Sequence, residues 1–140
     1  MLPEIDEGEE LFVRTDFSDD DAWYEVCDDI EASEFDLDIQ FIDRPAYRNM
    51  EPDAIRKLVP AGFEGSAVFV VNAATMASEE RPLLVIGLRD MAGKQFRATV
   101  ACLHLVSGLL KRGNKGFVEF MAACDDDGVF RDESKLEIYD

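Results

Sequence analysis

The 140-residue chain has little positive charge and no long apolar segment. Its 14 lysine and arginine residues stand against 31 aspartate and glutamate residues, so the net charge is −17 at pH 7. Such a surplus repels the phosphates of nucleic acids and the headgroups of anionic lipids. The apolar runs are also much shorter than the roughly 20 residues that a membrane-spanning helix needs. We therefore expect neither nucleic acid nor a membrane as a partner.

The three cysteines lie far apart and include no Cys-x-x-Cys pair. An odd and dispersed set predicts neither a disulfide framework nor a zinc site, and we expect reduced, buried thiols. The first residues also lack the basic and apolar segments of a secretory leader. Together these absences predict a cytoplasmic protein.

Common sequence motifs of catalysis are missing too. The chain has no glycine-rich phosphate loop, no Gly-x-Ser-x-Gly elbow and no His-Glu-x-x-His motif. His104, the single histidine, lies in an apolar helical segment with Ser107 and Lys111 at helical spacing. We interpret it as a side chain at the core boundary, while a role as general base stays open because it depends on spatial neighbours. The sequence therefore favours a non-enzymatic protein without a cofactor.

Apolar patterning predicts the fold, since 47% of the residues are hydrophobic and can build one core. Strands are predicted at 10–16, 35–43, 67–72, 82–88 and 94–100, helices at 19–32, 52–59, 101–112 and 116–126, and a loop at 73–81. Right-handed crossovers make the first three strands parallel, and the last two form a hairpin. The expected fold is α/β: a single three-layer domain with a mixed five-stranded sheet, in the order β-α-β-α-β-β-β-α-α, and helices packed on its faces.

Three segments are expected along the chain. Residues 1–9 are polar and acidic and are predicted to be a flexible lead-in. Residues 10–131 form the single α/β domain, because no internal repeat or long linker divides them. Residues 132–140 are predicted to be a charged tail.

The passage from the first strand into the first helix, LFVRTDFSDDDA at 11–22, is the clearest local signal. Ser18 is predicted to cap the helix by accepting a backbone N–H, with Asp21 completing a capping-box pair. The aspartates that follow Ser18 complement the positive end of the helix dipole. The stripe that then packs on the sheet consists of Trp23, Val26, Cys27 and Ile30.

Carboxylates lie at the carboxyl ends of the first two predicted strands. Because ligands bind at the carboxyl ends of the strands in open α/β sheets, these carboxylates define a candidate ligand or metal site. Mg²⁺ and Ca²⁺ prefer such oxygen ligands. The candidate residues are Asp16, Asp19, Asp20 and Asp43. The alternative is that the aspartates at 19–21 only complement the helix dipole, while Asp16 pairs with an arginine such as Arg14.

A second acidic run, at 125–127, precedes Gly128. With Gly128 as the sixth residue of a calcium-binding EF-hand loop, Ala123 would be the first ligand and Ser134 the twelfth. Neither residue fits the template, which starts with aspartate and ends with glutamate. The run is better interpreted as solvated acids at the end of a helix.

The charge is concentrated near the N-terminus, where residues 1–38 hold 16 acidic residues and one basic residue. Our leading hypothesis is a non-enzymatic interaction module whose acidic N-terminal third binds a basic protein partner. The candidate contacts are Asp19, Asp20, Asp21, Asp28 and Asp29. A mimic of nucleic acid charge would differ only in the identity of that partner. The alternative is a small divalent-metal-dependent enzyme or ligand-binding domain centred on Asp16 and Asp43.

Three stretches resemble a known family: FVRTDFSDDDAW at 12–23, LLVIGL at 83–88 and FVEFMAACDDDGVFR at 117–131. The chain is similar to small α/β domains, common in actinobacteria, that are catalogued only as a domain of unknown function. The resemblance runs from the first strand to Arg131 and implies a shared fold and domain span. It implies no catalytic residue.

Overall fold

The computed structural model describes residues 10–32, 39–59, 63, 67–88, 91–92, 94–112 and 117–136. The strands are β1 (Glu10–Arg14), β2 (Ile39–Ile42), β3 (Ala67–Val71), β4 (Leu83–Gly87), β5 (Gln95–Ala98) and β6 (Val129–Phe130). The α-helices are α1 (Asp20–Ala32), α2 (Pro52–Leu58), α3 (Ala73–Ala77), α4 (Leu103–Arg112) and α5 (Phe117–Ala122). None of the helices in these ranges is long and apolar enough to cross a membrane. The predicted lead-in at 1–9 and residues 35–38 of the second predicted strand lie outside the described residues.

All six strands form one mixed sheet in the order β2-β1-β3-β4-β5-β6. β1 is parallel to both β2 and β3, and β4 is antiparallel to β3 and to β5. The α/β class, the three parallel strands and the final hairpin are therefore confirmed. The strand count of five is wrong, because β6 pairs in parallel with β5.

β6 escaped the sequence pattern because it has only two residues, too few for an alternation of apolar and polar side chains. Its place is set by partners on β5. Arg97 N–H donates to Gly128 O at 3.0 Å, and Thr99 N–H donates to Phe130 O at 3.3 Å. Beyond β6, in the segment predicted to be a charged tail, Leu136 is buried against the main core.

Helix α3 occupies the start of the segment predicted to be a loop. Asn72 caps it, because Thr75 N–H donates to the Asn72 side chain while Asn72 N–H donates to the Thr75 hydroxyl. Reciprocal bonds of this kind satisfy donors that a helix start leaves open. A helix of five residues has too few turns to show a helical periodicity in the sequence.

The predicted cap of α1 is also displaced by one residue. The helix begins at Asp20, so Asp19 is the capping residue, and its carboxylate accepts the N–H of Ala22 at 3.1 Å. Ser18 instead donates its N–H to Asp16 Oδ1 at 2.9 Å. Either residue type can cap a helix, and here the turn made by Asp16 decides which one does.

Helices cover both faces of the sheet. Alternate residues of each strand point to opposite faces, so Phe12 contributes to one core and its neighbours Leu11 and Val13 to the other. The Phe12 side is covered by residues of α1, α4 and α5, including Trp23, Val26, Ile30, Leu103, Val106, Phe117 and Phe120. The Leu11 side is covered by Ile55 of α2 and by Tyr47.

Gly87, at the end of β4, provides a stability test. A Cβ atom added there would lie 2.4 Å from the backbone oxygen of Met91. Gly87→Ala therefore forces the turn between β4 and β5 to shift, and we expect it to lower the free energy of unfolding by about 1–3 kcal/mol. Urea denaturation of the variant and the wild type measures the difference. An unchanged midpoint would contradict this close approach.

Candidate functional site

Arg14, the last residue of β1, is the centre of the predicted carboxylate cluster. Its side chain is only 3% exposed, although it carries a full charge at the carboxyl edge of the sheet. Nη2 donates to Asp20 Oδ1 at 2.7 Å, and Nη1 donates to Asp43 Oδ1 at 3.2 Å. Nε donates to the main-chain oxygen of Asp16 at 2.9 Å. One guanidinium thus joins the end of β1, the start of α1 and the residue that follows β2.

Aromatic rings enclose the same guanidinium. Its central carbon lies 4.3 Å from the centre of the Phe17 ring and 5.1 Å from that of Trp23. At these distances the electron-rich ring faces attract a cation. Since Trp23 also packs edge-on against Phe41, the arginine is tied to the apolar core through its neighbours.

The four candidate ligand residues therefore have three different roles in the structure. Asp20 and Asp43 accept hydrogen bonds from Arg14, Asp16 closes the turn through Ser18 N–H, and Asp19 caps α1. The sequence also suggested that Asp16 pairs with Arg14. Arg14 Nε does donate to Asp16, but the acceptor is the main-chain oxygen of Asp16 and not its carboxylate. Within the described ranges, no group of three or more histidine, cysteine, aspartate and glutamate residues is arranged to hold a metal ion.

The outer side of α1 carries the second candidate surface. Asp21, Tyr24, Glu25 and Asp28 are exposed at positions i, i+3, i+4 and i+7, so they share one side of the helix. We call these four residues the acidic face of α1. Tyr24 is 60% exposed, an unusual position for a large aromatic side chain. Sequence reasoning missed Tyr24 and Glu25, although both lie opposite the buried stripe of Trp23, Val26 and Ile30.

Arg81 marks the boundary of this acidic face. Arg81 donates to Glu25 at 3.3 Å and to Asp29 at 3.1 Å, so Asp29 is engaged within the domain. Asp20 is likewise engaged by Arg14. Asp21 and Asp28 have no ion pair within the described chain. Of the five predicted partner contacts, these two are the carboxylates that α1 leaves available.

A crevice lies where the strand order reverses, between the carboxyl ends of β1 and β3. Its volume is about 260 Å³. Thr15 and Asp16 approach it from β1, while Asn72 and Ala73 approach it from β3. Asn49 closes one side with a left-handed backbone (φ 56°), and its N–H donates to Thr15 O at 2.8 Å.

A third charged cluster forms around Arg131, just after β6. Arg131 donates to Glu80, Asp125 and Asp127, and Lys135 also donates to Asp125. The hydrogen bond from Lys135, followed by that from Arg131, holds the pKa of Asp125 below its ordinary value of 3.8. Hydrogen bonds to Asp127, Glu80 and Asp125 in turn raise the pKa of Arg131. Asp125 and Asp127 of the acidic run at 125–127 therefore belong to an internal ion-pair network, whereas Asp126 is exposed.

The three cysteines are free thiols, as expected, but only Cys102 is buried, whereas Cys27 and Cys124 are partly exposed. Burial, reinforced by nearby carboxylates, raises the pKa of Cys27 to about 12 and that of Cys124 to about 11. Both thiols are therefore protonated at neutral pH, whereas the thiolate is the nucleophilic form. The side chain of His104 lies outside the described part of α4.

These observations define a mixed α/β domain with an arginine-centred sheet edge and an acidic outer helix. The chain belongs to the family described as Domain of unknown function (DUF6924), whose sequence profile matches residues 9–133. The match confirms the resemblance at the level of the family. Comparison with curated proteins and with solved structures found no match.

Arg14→Lys tests whether the guanidinium organises the sheet edge. A lysine keeps the charge, but its donors all sit on one nitrogen, so they cannot reach the separate acceptors of Nε, Nη1 and Nη2 or present a flat face to Phe17. We expect a loss of about 1–3 kcal/mol in the free energy of unfolding, measured with urea. Arg56→Lys is the matched control, because Arg56 only approaches the exposed Asp53, at 3.8 Å. Equal effects of the two substitutions would contradict a central role for Arg14.

Lys135→Gln tests the network around Arg131. Since the hydrogen bond from Lys135 is the largest cause of the lowered pKa of Asp125, its removal should raise that pKa toward 3.8. A lowered carboxyl pKa stabilises the fold above the ordinary value, and this contribution is lost as pH falls through the folded-state pKa. Carbon-detected NMR titration of the Asp125 carboxyl measures the shift, with Lys57→Gln as the control. An unmoved titration midpoint would show that Lys135 does not act on Asp125.

Proposed function

We propose that the domain is a non-enzymatic interaction module that binds a basic protein partner through the acidic face of α1. The observation that carries the proposal is the combination of Asp21, Glu25 and Asp28 with the exposed ring of Tyr24. α1 itself contains six acidic residues and no basic residue. The cations that pair with it, Arg14 and Arg81, come from other elements and reach Asp20, Glu25 and Asp29.

The energetics favour a partner that meets several of these groups together. A single exposed ion pair contributes only about 0.2–1 kcal/mol, and salt screens it. Tyr24 adds an apolar surface and a ring face that attracts lysine or arginine. A basic helix or extended segment laid along α1 would engage the ring and the two unpaired carboxylates at once. Such binding is fast to form and strongly dependent on salt.

A divalent-metal-dependent enzyme has less support. Asp20 and Asp43 already accept hydrogen bonds from Arg14, so a metal ion beside them would compete with a buried cation. The protonated thiols of Cys27 and Cys124 also make poor nucleophiles.

A nucleic acid mimic would use the same acidic face of α1. It would differ from the proposed module only in its partner, which would be a nucleic-acid-binding protein. Free thiols support our proposal of a cytoplasmic location.

The proposal is tested by removing charge from the acidic face while keeping the shape of the helix. Wild type and the double variant Asp21→Asn/Asp28→Asn are immobilised, partners are captured from cells, and a purified partner is titrated calorimetrically. We expect the double variant to bind at least about tenfold more weakly, a loss of about 1.4 kcal/mol. Wild-type binding should also weaken steadily as salt is raised.

The control removes the same charge elsewhere, in Glu119→Gln/Asp126→Asn, where both residues are exposed. This variant should bind as the wild type does. Tyr24→Ala should weaken binding, whereas Tyr24→Phe, which keeps the ring, should not. If both charge variants lost the same binding affinity, the partner would be responding to the overall negative charge of the domain and not to the acidic face of α1. Capture that is unchanged between low and high salt would rule out the electrostatic interaction.

A further inference from the structure

The crevice between β1 and β3 has no role in the docking function proposed for the acidic face of α1. Its position in the sheet and its lining residues indicate a separate binding site. From β1 the chain proceeds to β2 on one side, and from β3 it proceeds to β4 on the other. In open α/β sheets the carboxyl edge at such a reversal is where ligands bind, because the diverging connections leave a gap. The gap is present here, with a volume of about 260 Å³.

The floor of the crevice is apolar. Its side chains belong to the core on the α2 side of the sheet, which Ile55, Val70 and Leu84 help to form. Met50 and Pro52 add further apolar surface at its wall. Ligand sites typically have about 300–1,000 Å³, so this one suits a compact molecule with a few apolar carbon atoms.

The rim is polar and acidic. Asp16 and Glu51 supply two carboxylates, while Asn49 and Asn72 supply side-chain amides. None of the described residues lining the crevice is a lysine or an arginine. No lining side chain therefore carries a positive charge that would balance an anionic ligand. The nearby guanidinium of Arg97 does not line the crevice and donates to Asn72 Oδ1 and to Pro82 O, each at 3.2 Å.

Hydrogen bonding inside the domain leaves part of this rim available. Asn72 Oδ1 accepts from Thr75 and Arg97, yet the amide nitrogen of Asn72 has no partner in the described chain. Asp16 uses Oδ1 for Ser18 N–H, which leaves Oδ2 without a partner there. Glu51 precedes α2 without capping it through its side chain. These groups can therefore bind a ligand without breaking a bond that supports the fold.

We propose that this crevice binds a small organic cation, an amine with a compact apolar body. The ammonium lies at the Asp16 and Glu51 carboxylates, the apolar body rests on Ile55, Val70 and Leu84, and Asn72 donates to an oxygen of the ligand where it has one. Phosphate-bearing ligands are disfavoured by the two carboxylates. The proposal is independent of the docking function of α1, because the two sites share no residue.

The test is NMR titration of the isotope-labelled full chain with benzylammonium and isopentylammonium as probes. Benzyl alcohol and benzoate have nearly the same body with no charge or the opposite charge. We expect both amines to cause saturable shifts of the amides of Asn49, Ile55, Asn72 and Ala73. Benzyl alcohol should bind more weakly, and benzoate should cause no saturable shift at these residues.

Two charge-matched variants complete the experiment. Asp16→Asn/Glu51→Gln should weaken amine binding at least about tenfold. The side-chain oxygen of the introduced asparagine can still accept the Ser18 N–H that holds the turn. Asp21→Asn/Asp28→Asn, which removes the same charge from α1, should bind the amines as the wild type does. Equal weakening in both variants would overturn the proposal, because the amines would then be sensing the overall charge.

The probes give further outcomes that overturn the assignment. Absence of saturable shifts with both amines would show that the crevice does not bind organic cations. Equal shifts with benzoate would show that the apolar body alone drives binding. Saturation by Mg²⁺ or Ca²⁺ at the same amides, without a response to the amines, would make the crevice a metal site.

Discussion

A buried guanidinium at the end of a central strand is the constraint on which this sheet edge depends. A charged group that is removed from water loses its hydration. Unless hydrogen-bond acceptors and opposite charges replace the water, the burial destabilises the fold. Arg14 meets this need with a main-chain oxygen, two carboxylates and two aromatic rings. Each acceptor belongs to a different segment, so satisfying the arginine also fixes where α1 starts and where β2 ends.

Carboxylates on the two sides of this edge have different surroundings, although the amino-acid composition does not distinguish them. On the α1 side, carboxylates are either engaged by Arg14 and Arg81 or exposed to solvent around Tyr24. On the α2 side, Asp16 borders an apolar crevice that opens where the strand order reverses. Surface carboxylates on a helix suit a broad, salt-dependent contact, whereas carboxylates over an apolar floor suit a compact cation. The two proposed sites would thus recognise cations in two different ways.

Some of the charge has a structural role only. The carboxylates at 125 and 127 bind Arg131 and Lys135, which hold the chain that follows β6 against the rest of the domain. Asp19 caps α1. The carboxylates on which the two proposals rest are different ones: Asp21 and Asp28 on α1, and Asp16 with Glu51 at the crevice. A count of acidic residues would have given all of them equal weight.

Features that repeat over short distances could be predicted from the sequence: the buried stripe of α1, the apolar strands β1, β3 and β4, and the hairpin of β4 and β5. Right-handed connections then sufficed to predict that the first three strands are parallel. Sequence periodicity could not predict the place of β6, the cap at Asp19 or the acceptors around Arg14. β6 and the pairing of Arg14 with Asp43 depend on partners far apart in the chain, and a strand of two residues carries no periodic pattern. The cap depends on the local turn that Asp16 forms with Ser18, because either residue type can cap a helix. The crevice could not be predicted either. Its lining comes from residues at 15–16, 49–55 and 72–73, which meet only after the strands have paired.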